Sequence, residues 1–137
     1  MKISRKVEYS CRVLAQLARC YGTSRMPHIE ELATAEQVPA NYLVQILNEL
    51  RSNGLIVSRR GKLGGYMLAR PPSEMSIADV VRAIEGDLLE CPQNYGGESG
   101  KGVFMVLGAI AREFEACAQK RTVKDIVGAE GSQMYFI

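Results

Sequence analysis

The chain of 137 residues has no tryptophan, a single histidine (His28), five prolines and only four cysteines. One histidine is too few for most hydrolase and metalloenzyme constellations. The cysteines, at 11, 20, 91 and 117, never fall at C-x-x-C spacing, so neither a zinc knuckle nor a disulfide framework is expected. Long apolar runs are also missing. The longest, Val103 to Ala111, covers nine residues with a glycine inside, too few to span a bilayer. The first twenty residues carry Lys2, Arg5, Lys6, Glu8, Arg12 and Arg19, so no apolar leader is expected and a cytoplasmic protein, without a membrane partner, is the default. The stretch Gly96 to Gly102 looks like a phosphate loop but fails its pattern: Tyr95 stands where the first glycine belongs, and Gly102 follows Lys101 where Ser or Thr is needed. An enzyme reading therefore has no positive support.

Excess charge is lacking too, with a net value of only +2. The two halves differ, however. Residues 1–70 hold 11 basic and 5 acidic side chains, a balance of +6; residues 71–137 hold 6 and 10, a balance of −4. This asymmetry points the first half toward a polyanion.

Apolar residues make up 47% of the chain, enough for a core and one domain. A first helix is predicted from about Ser4 to Tyr21, with Val7, Cys11, Leu14, Ala18 and Tyr21 as its stripe and Gly22 as its stop. A short helix follows Pro27 over about 28–35, with Ile29, Leu32 and Ala33 inward, and Glu36 to Val38 make a turn. The next helix, about 40–53, is the most informative. At about 100° per residue, Leu43, Ile46, Leu47 and Leu50 share one side, and Asn41, Gln45, Asn48 and Ser52 the other. Solvated helix faces are usually rich in Lys and Glu. Amides and hydroxyls both donate and accept, which is what reading base edges requires. A solvated face that happens to be Asn/Gln-rich is the plainer alternative.

Asn53-Gly54 ends this helix. Leu55 to Ser58 then reads as a strand, Arg59 to Gly65 as a basic turn and Tyr66 to Ala69 as the returning strand, closed by Pro71-Pro72. Glycines let the tip approach a phosphate backbone, and Arg59, Arg60 and Lys62 supply charge for it. Helix, polar face and basic hairpin in this order describe a winged helix-turn-helix that binds DNA.

In the second half, Ser76 and Asp79 read as a capping box for a helix ending at Glu85-Gly86. A glycine-rich loop, 87–102, carries Cys91. A long helix runs from Gly102 or Val103 to Arg121 with Val103, Leu107, Ile110, Phe114 and Cys117 as its stripe, more apolar surface than a small winged domain needs to cover, so a dimerisation helix is expected. Thr122 to Asp125 caps one further short helix, and the tail ends in Met134, Tyr135, Phe136 and Ile137. The fold class is mainly α with a small β-hairpin: a DNA-binding region over 1–72 and a sensor loop with dimerisation helices over 73–137, compact together, with the first helix shared.

These pieces resemble the Rrf-two (Rrf2) family of bacterial transcription regulators. The resemblance covers about residues 1–127 and rests on Met1-Lys2-Ile3-Ser4 with Lys6 and Tyr9, Tyr42-Leu43 with Gln45, Leu50-Arg51 with Asn53-Gly54-Leu55, Arg60-Gly61 with Gly64-Gly65-Tyr66, and Asp79-Val80 with Ala83 to Gly86. It implies a homodimer on a pseudo-palindromic operator. It also implies DNA contacts from Ser4, Lys6, Asn41, Tyr42, Gln45, Arg60 and the wing glycines Gly64 and Gly65. Where some members carry a glutamate beside this glutamine, this chain has Val44, so no target sequence carries over.

Many members hold an iron–sulfur cluster through three cysteines in the loop before the long helix; here only Cys91 stands there. Two readings stay open. In one, Cys91 joins atypical ligands from elsewhere or from a second subunit, Glu8 first among them because some relatives place a carboxylate there. In the other no metal binds, and Cys91 or Cys20 is an exposed redox thiol or a bystander. Cys11 and Cys117, on apolar stripes, read as packing residues. The start and tail look like the CymR branch, which lacks a cluster, represses cysteine and sulfur genes, and acts with a cysteine synthase. The resulting expectation is a DNA-binding repressor of a sulfur, cysteine or iron–sulfur regulon, the alternatives being an iron–sulfur or redox sensor and a protein-interaction module built on the same winged helix.

Overall fold

The computed structural model describes residues 2–130. Six helices and one two-stranded sheet follow in the order α1 (Arg5–Cys20), α2 (Ile29–Glu36), α3 (Ala40–Ser52), β1 (Ile56–Arg59), β2 (Gly65–Leu68), α4 (Ile77–Glu85), α5 (Gly100–Lys120) and α6 (Val123–Ala129), with one 3₁₀ turn at Pro72–Glu74. The apolar tail from Met134 to Ile137 lies outside the described residues.

Helix α1 begins where the Ser4 hydroxyl accepts from the Val7 N–H at 3.1 Å, a standard N-cap. Its buried side is wider than the single stripe its periodicity suggests. Val7, Ser10, Val13, Leu14, Ala15, Leu17 and Cys20 are buried, whereas Cys11 and Ala18 are half-buried and Tyr21 is exposed. The cause is position: α2, α4, α6 and β2 all pack on α1. Cys20 is therefore a core residue, 9% exposed, and not the open thiol that the sequence left as an option.

The helix-turn-helix is built by packing. Leu32 and Val38 meet Leu43, Ile46, Leu47 and Leu50 in a core that also takes Val13, Leu14 and Leu17. Between α2 and α3, Gln37 adopts left-handed geometry (φ 55°, ψ 46°), the only non-glycine residue with positive φ among those described. Its N–H, like that of Val38, turns back toward the Ala33 carbonyl. This closes the short connection without a glycine, at a steric cost for Gln37.

β1 and β2 pair antiparallel, with Ile56 opposite Leu68 and Arg59 opposite Gly65. Both strands sit one residue away from the sequence reading. The wing is anchored rather than free: Tyr66 N–H donates to the Pro27 carbonyl at 2.9 Å, and Ala69 N–H to the Leu55 carbonyl at 3.0 Å.

Ser76 and Asp79 form the expected capping box on α4, as do Thr122 and Asp125 on α6. The two helix starts are tied together: Ile77 N–H donates to the Arg121 carbonyl at 2.8 Å and Val123 N–H to the Met75 carbonyl at 2.9 Å. Met75, Val80 and Val123 belong to the same core as Leu14 and Leu47, so one core crosses the boundary drawn at residue 72. α5 begins at Gly100, two residues earlier than expected, taking Gly100 and Gly102 into its first turn.

Candidate nucleic-acid interface

The inward residues of α3 fix what faces outward. With Leu43, Ile46, Leu47 and Leu50 buried, Asn41, Val44, Gln45 and Asn48 are exposed. Arg51 steadies the far end of this face, donating to Asn48 Oδ1 at 3.1 Å and to Ser58 Oγ on β1 at 3.3 Å, which links α3 to the wing. Asn41 and Gln45 thus stand where the amide face was predicted. Tyr42 does not stand free. It is half-buried, and its ring meets that of Tyr9 edge-on at 5.7 Å between centroids.

On the wing, Arg59, Arg60 and Lys62 are exposed. Among the described residues, Arg5, Lys6, Arg12, Arg19, Arg25, Arg70 and Arg82 each lie beside a carboxylate, whereas the three wing cations have none. Unpaired positive charge on a hairpin tip is an open anion site. Gly61, at φ +102° with nothing within 4 Å of where a Cβ would stand, forms the open turn. Gly64 and Gly65 differ from expectation. Both are buried, and a Cβ would come within 2.2 Å of the Arg59 carbonyl oxygen at Gly64 and of the Met26 carbonyl oxygen at Gly65. The chain's own backbone demands glycine at these two positions, before any phosphate does.

The N-terminal pair has partners within the chain. Ser4 caps α1 and donates to Glu85, and Lys6 is paired with Glu49 on α3. Only 23% of the Lys6 side chain is exposed. Ser4 and Lys6 thus tie α1 to α4 and to α3, the predicted recognition helix. Arg12, which the sequence reading passed over, does similar work. Its guanidinium is held by Glu8, donates to the Glu36 carbonyl at the end of α2 at 3.0 Å, and lies over the Tyr9 ring 5.3 Å from its centroid. The Glu8–Arg12 spacing of four residues was the available signal.

The candidate metal ligands Cys91 and Glu8 do not form a site within one chain. Glu8 is engaged by Arg12, with Oε1 at 2.8 Å from Nε. Cys91 is half-buried in the loop before α5, near the stacked rings of Tyr95 and Phe104. Burial and the neighbouring Glu8 carboxylate push the Cys11 thiol up to about 11, the opposite of what a ligating thiolate needs. Among the described residues no three His, Cys, Asp or Glu side chains gather as a metal site would require.

Helix α5 buries only Ala118 of its own residues. Val103, Leu107, Ile110 and Phe114 keep 41–54% of their surface exposed, and Cys117 is exposed as well. Cys117 is thus not a core residue of the single chain. Arg82 on α4 pairs with Glu115 and helps hold α5 to the body. No helix among the described residues is long and apolar enough to cross a membrane.

A family profile described as "Rrf2: Iron-dependent Transcriptional regulator" matches residues 3–129. Two curated relatives from Mycobacterium tuberculosis are 46% identical over 88 residues, and the chain spans 54% of their length. The HTH-type transcriptional regulator CymR of Bacillus subtilis strain 168 is 33% identical over 88 residues, 64% of this chain and 63% of that protein. The HTH-type transcriptional regulator NsrR of Oceanobacillus iheyensis is 33% identical over 93 residues, 66% of this chain and 63% of that protein. Among solved structures, CymR of B. subtilis, described as its global cysteine regulator, superposes with a TM-score of 0.78 at 26% identity, covering 93% of this chain and 97% of that one. IscR of T. potens gives 0.77 at 25% identity, covering 100% and 93%.

Proposed function

The chain belongs to the Rrf2 family of transcriptional regulators, and from that premise we propose that it is a homodimer that binds duplex DNA in a sequence-specific manner. The observation that carries this reading is the pairing of two open surfaces: the exposed Asn41–Gln45–Asn48 face of α3, and the wing cations Arg59, Arg60 and Lys62, which have no carboxylate partner. In this reading α3 enters the major groove, where amides can bond base edges, and the wing meets the flanking backbone. Two copies joined through the α5 stripe would set two α3 helices on half-sites about one helical turn, roughly 34–36 Å, apart.

The regulon and the sign of control belong to this proposal and rest on likeness alone. Similarity to CymR, described as the global cysteine regulator of B. subtilis, supports a regulator of cysteine genes; repression, sulfur genes and a cysteine synthase-like partner are what the family resemblance implies. The family description names iron. The described residues of one chain do not fit an iron or iron–sulfur site, because Glu8 is held by Arg12 and no three His, Cys, Asp or Glu side chains gather among them. No step of the proposed action passes through iron.

A mobility-shift titration at several salt concentrations tests the proposal. A complex whose affinity falls linearly in log–log form against salt, with a slope that reports several phosphate contacts, is expected. Failure to retain any duplex DNA under heparin competition would favour the protein-interaction reading.

A further inference from the structure

One residue on the α3 outer face breaks its pattern. Asn41, Gln45 and Asn48 carry amides; Val44, among them, is apolar and keeps 46% of its surface exposed. At about 100° per residue, the four fall within an arc of roughly 100°. The core beneath is already filled by Leu43, Ile46 and Leu47, so Val44 contributes nothing to it. Local rules also disfavour it. A β-branched residue is a weaker helix former than Ala, Lys or Glu, and its methyl groups stay in water. Single exposed apolar residues are ordinary on protein surfaces. What distinguishes Val44 is its place, beside Gln45 on the surface assigned to the major groove.

Only one base edge in that groove offers an apolar group, the C5-methyl of thymine. A valine methyl complements it, and no hydrogen-bonding group would. Gln45 can bond N6 and N7 of adenine with its amide. Resting on the DNA-binding reading above, we propose that Val44 reads sequence: its methyl groups pack on the C5-methyl of a thymine next to the base pair that Gln45 hydrogen-bonds. No charge takes part, so the discrimination equals the removal of about one methyl group from water, roughly fourfold in affinity.

The test starts from a duplex selected out of a random pool by the full chain. Each thymine is replaced in turn by deoxyuridine, which removes the methyl group and keeps the base pair. At one position in each half-site, affinity should fall about fourfold. Val44→Ala should show that same loss on thymine-containing DNA and no further loss on uracil-containing DNA. Gln45→Ala should keep the sensitivity to uracil. Alanine raises helix propensity at this exposed site, so folding is not at risk. Wild-type protein indifferent to uracil at every position, or Val44→Ala retaining the full sensitivity, would overturn the proposal. A pool that yields no enriched sequence would instead overturn the DNA-binding reading, and the role of Val44 falls with it.

Discussion

Helices α1 and α5 are both long, and both read as amphipathic, yet the chain treats them in opposite ways. α1 buries seven of its side chains and is wrapped on several sides; α5 buries Ala118 alone and leaves Val103, Leu107, Ile110 and Phe114 in water. The winged-helix half buries one core around α1 and α3, leaves only scattered apolar residues such as Val44 and Leu63 exposed, and carries cations without a carboxylate partner at the wing. The second half, acidic in balance, has its largest open apolar surface on α5, which Arg82–Glu115 helps hold to the body. An unsatisfied surface indicates what kind of partner would satisfy it: an anion for the wing, and another apolar helix for α5.

The sharpest way to break this contrast is to charge the α5 stripe. Ile110→Glu should convert a dimer into a monomer while leaving the circular dichroism spectrum intact. An unpaired charge at a buried contact costs about 3–5 kcal/mol, which raises the dissociation constant more than 100-fold. Sedimentation velocity reads this directly, and an unchanged sedimentation coefficient would remove α5 from the interface. Thiol labelling at pH 8 gives a second view. Cys11, its thiol pushed up to about 11, and the buried Cys20 should react slowly, and Cys91 readily. Cys117 should react only once Ile110→Glu has opened the interface.

The reverse behaviour belongs to the first half, where the core does the work. Leu47→Ala removes a side chain that is 1% exposed and should lower stability by about 2–5 kcal/mol in a chemical melt. Arg60→Ala touches the open surface instead. It should leave stability unchanged, weaken DNA binding evenly across sequences, and lower the log–log salt slope by about one. A fall in melting temperature comparable to that of Leu47→Ala would show that the wing cations hold the fold together. The smallest effect is at Gln37. Gln37→Gly should stabilise the chain by up to about 1 kcal/mol, because glycine accepts left-handed geometry without the steric cost.

Much of this arrangement was legible in the sequence, and what was missed has physical causes. Capping boxes at Ser76–Asp79 and Thr122–Asp125 are local chemistry, so they located α4 and α6 closely. The α3 pattern separated inward leucines from outward amides correctly, because a single core covers only one side of that helix. On α1 the same periodicity gave too narrow a stripe, since it cannot show how many neighbours a helix will have; that is why Cys20 was misplaced. The intrachain partners of Ser4 and Lys6, Glu85 and Glu49, lie 81 and 43 residues away, beyond what local spacing can show. Gly64 and Gly65 looked like freedom for a ligand, whereas close backbone approach to Arg59 and Met26 requires them. The left-handed turn at Gln37 carried no glycine to announce it.

The central claim joins the two contrasted halves: α5 pairs two copies so that two α3 faces read one duplex. Selection of duplexes from a random pool by the full chain tests both parts at once. The expected result is an enriched sequence with two inverted half-sites whose centres lie about 10 base pairs, one helical turn, or a multiple of that, apart. Enrichment of a single unrepeated half-site, or of no sequence at all, would contradict it.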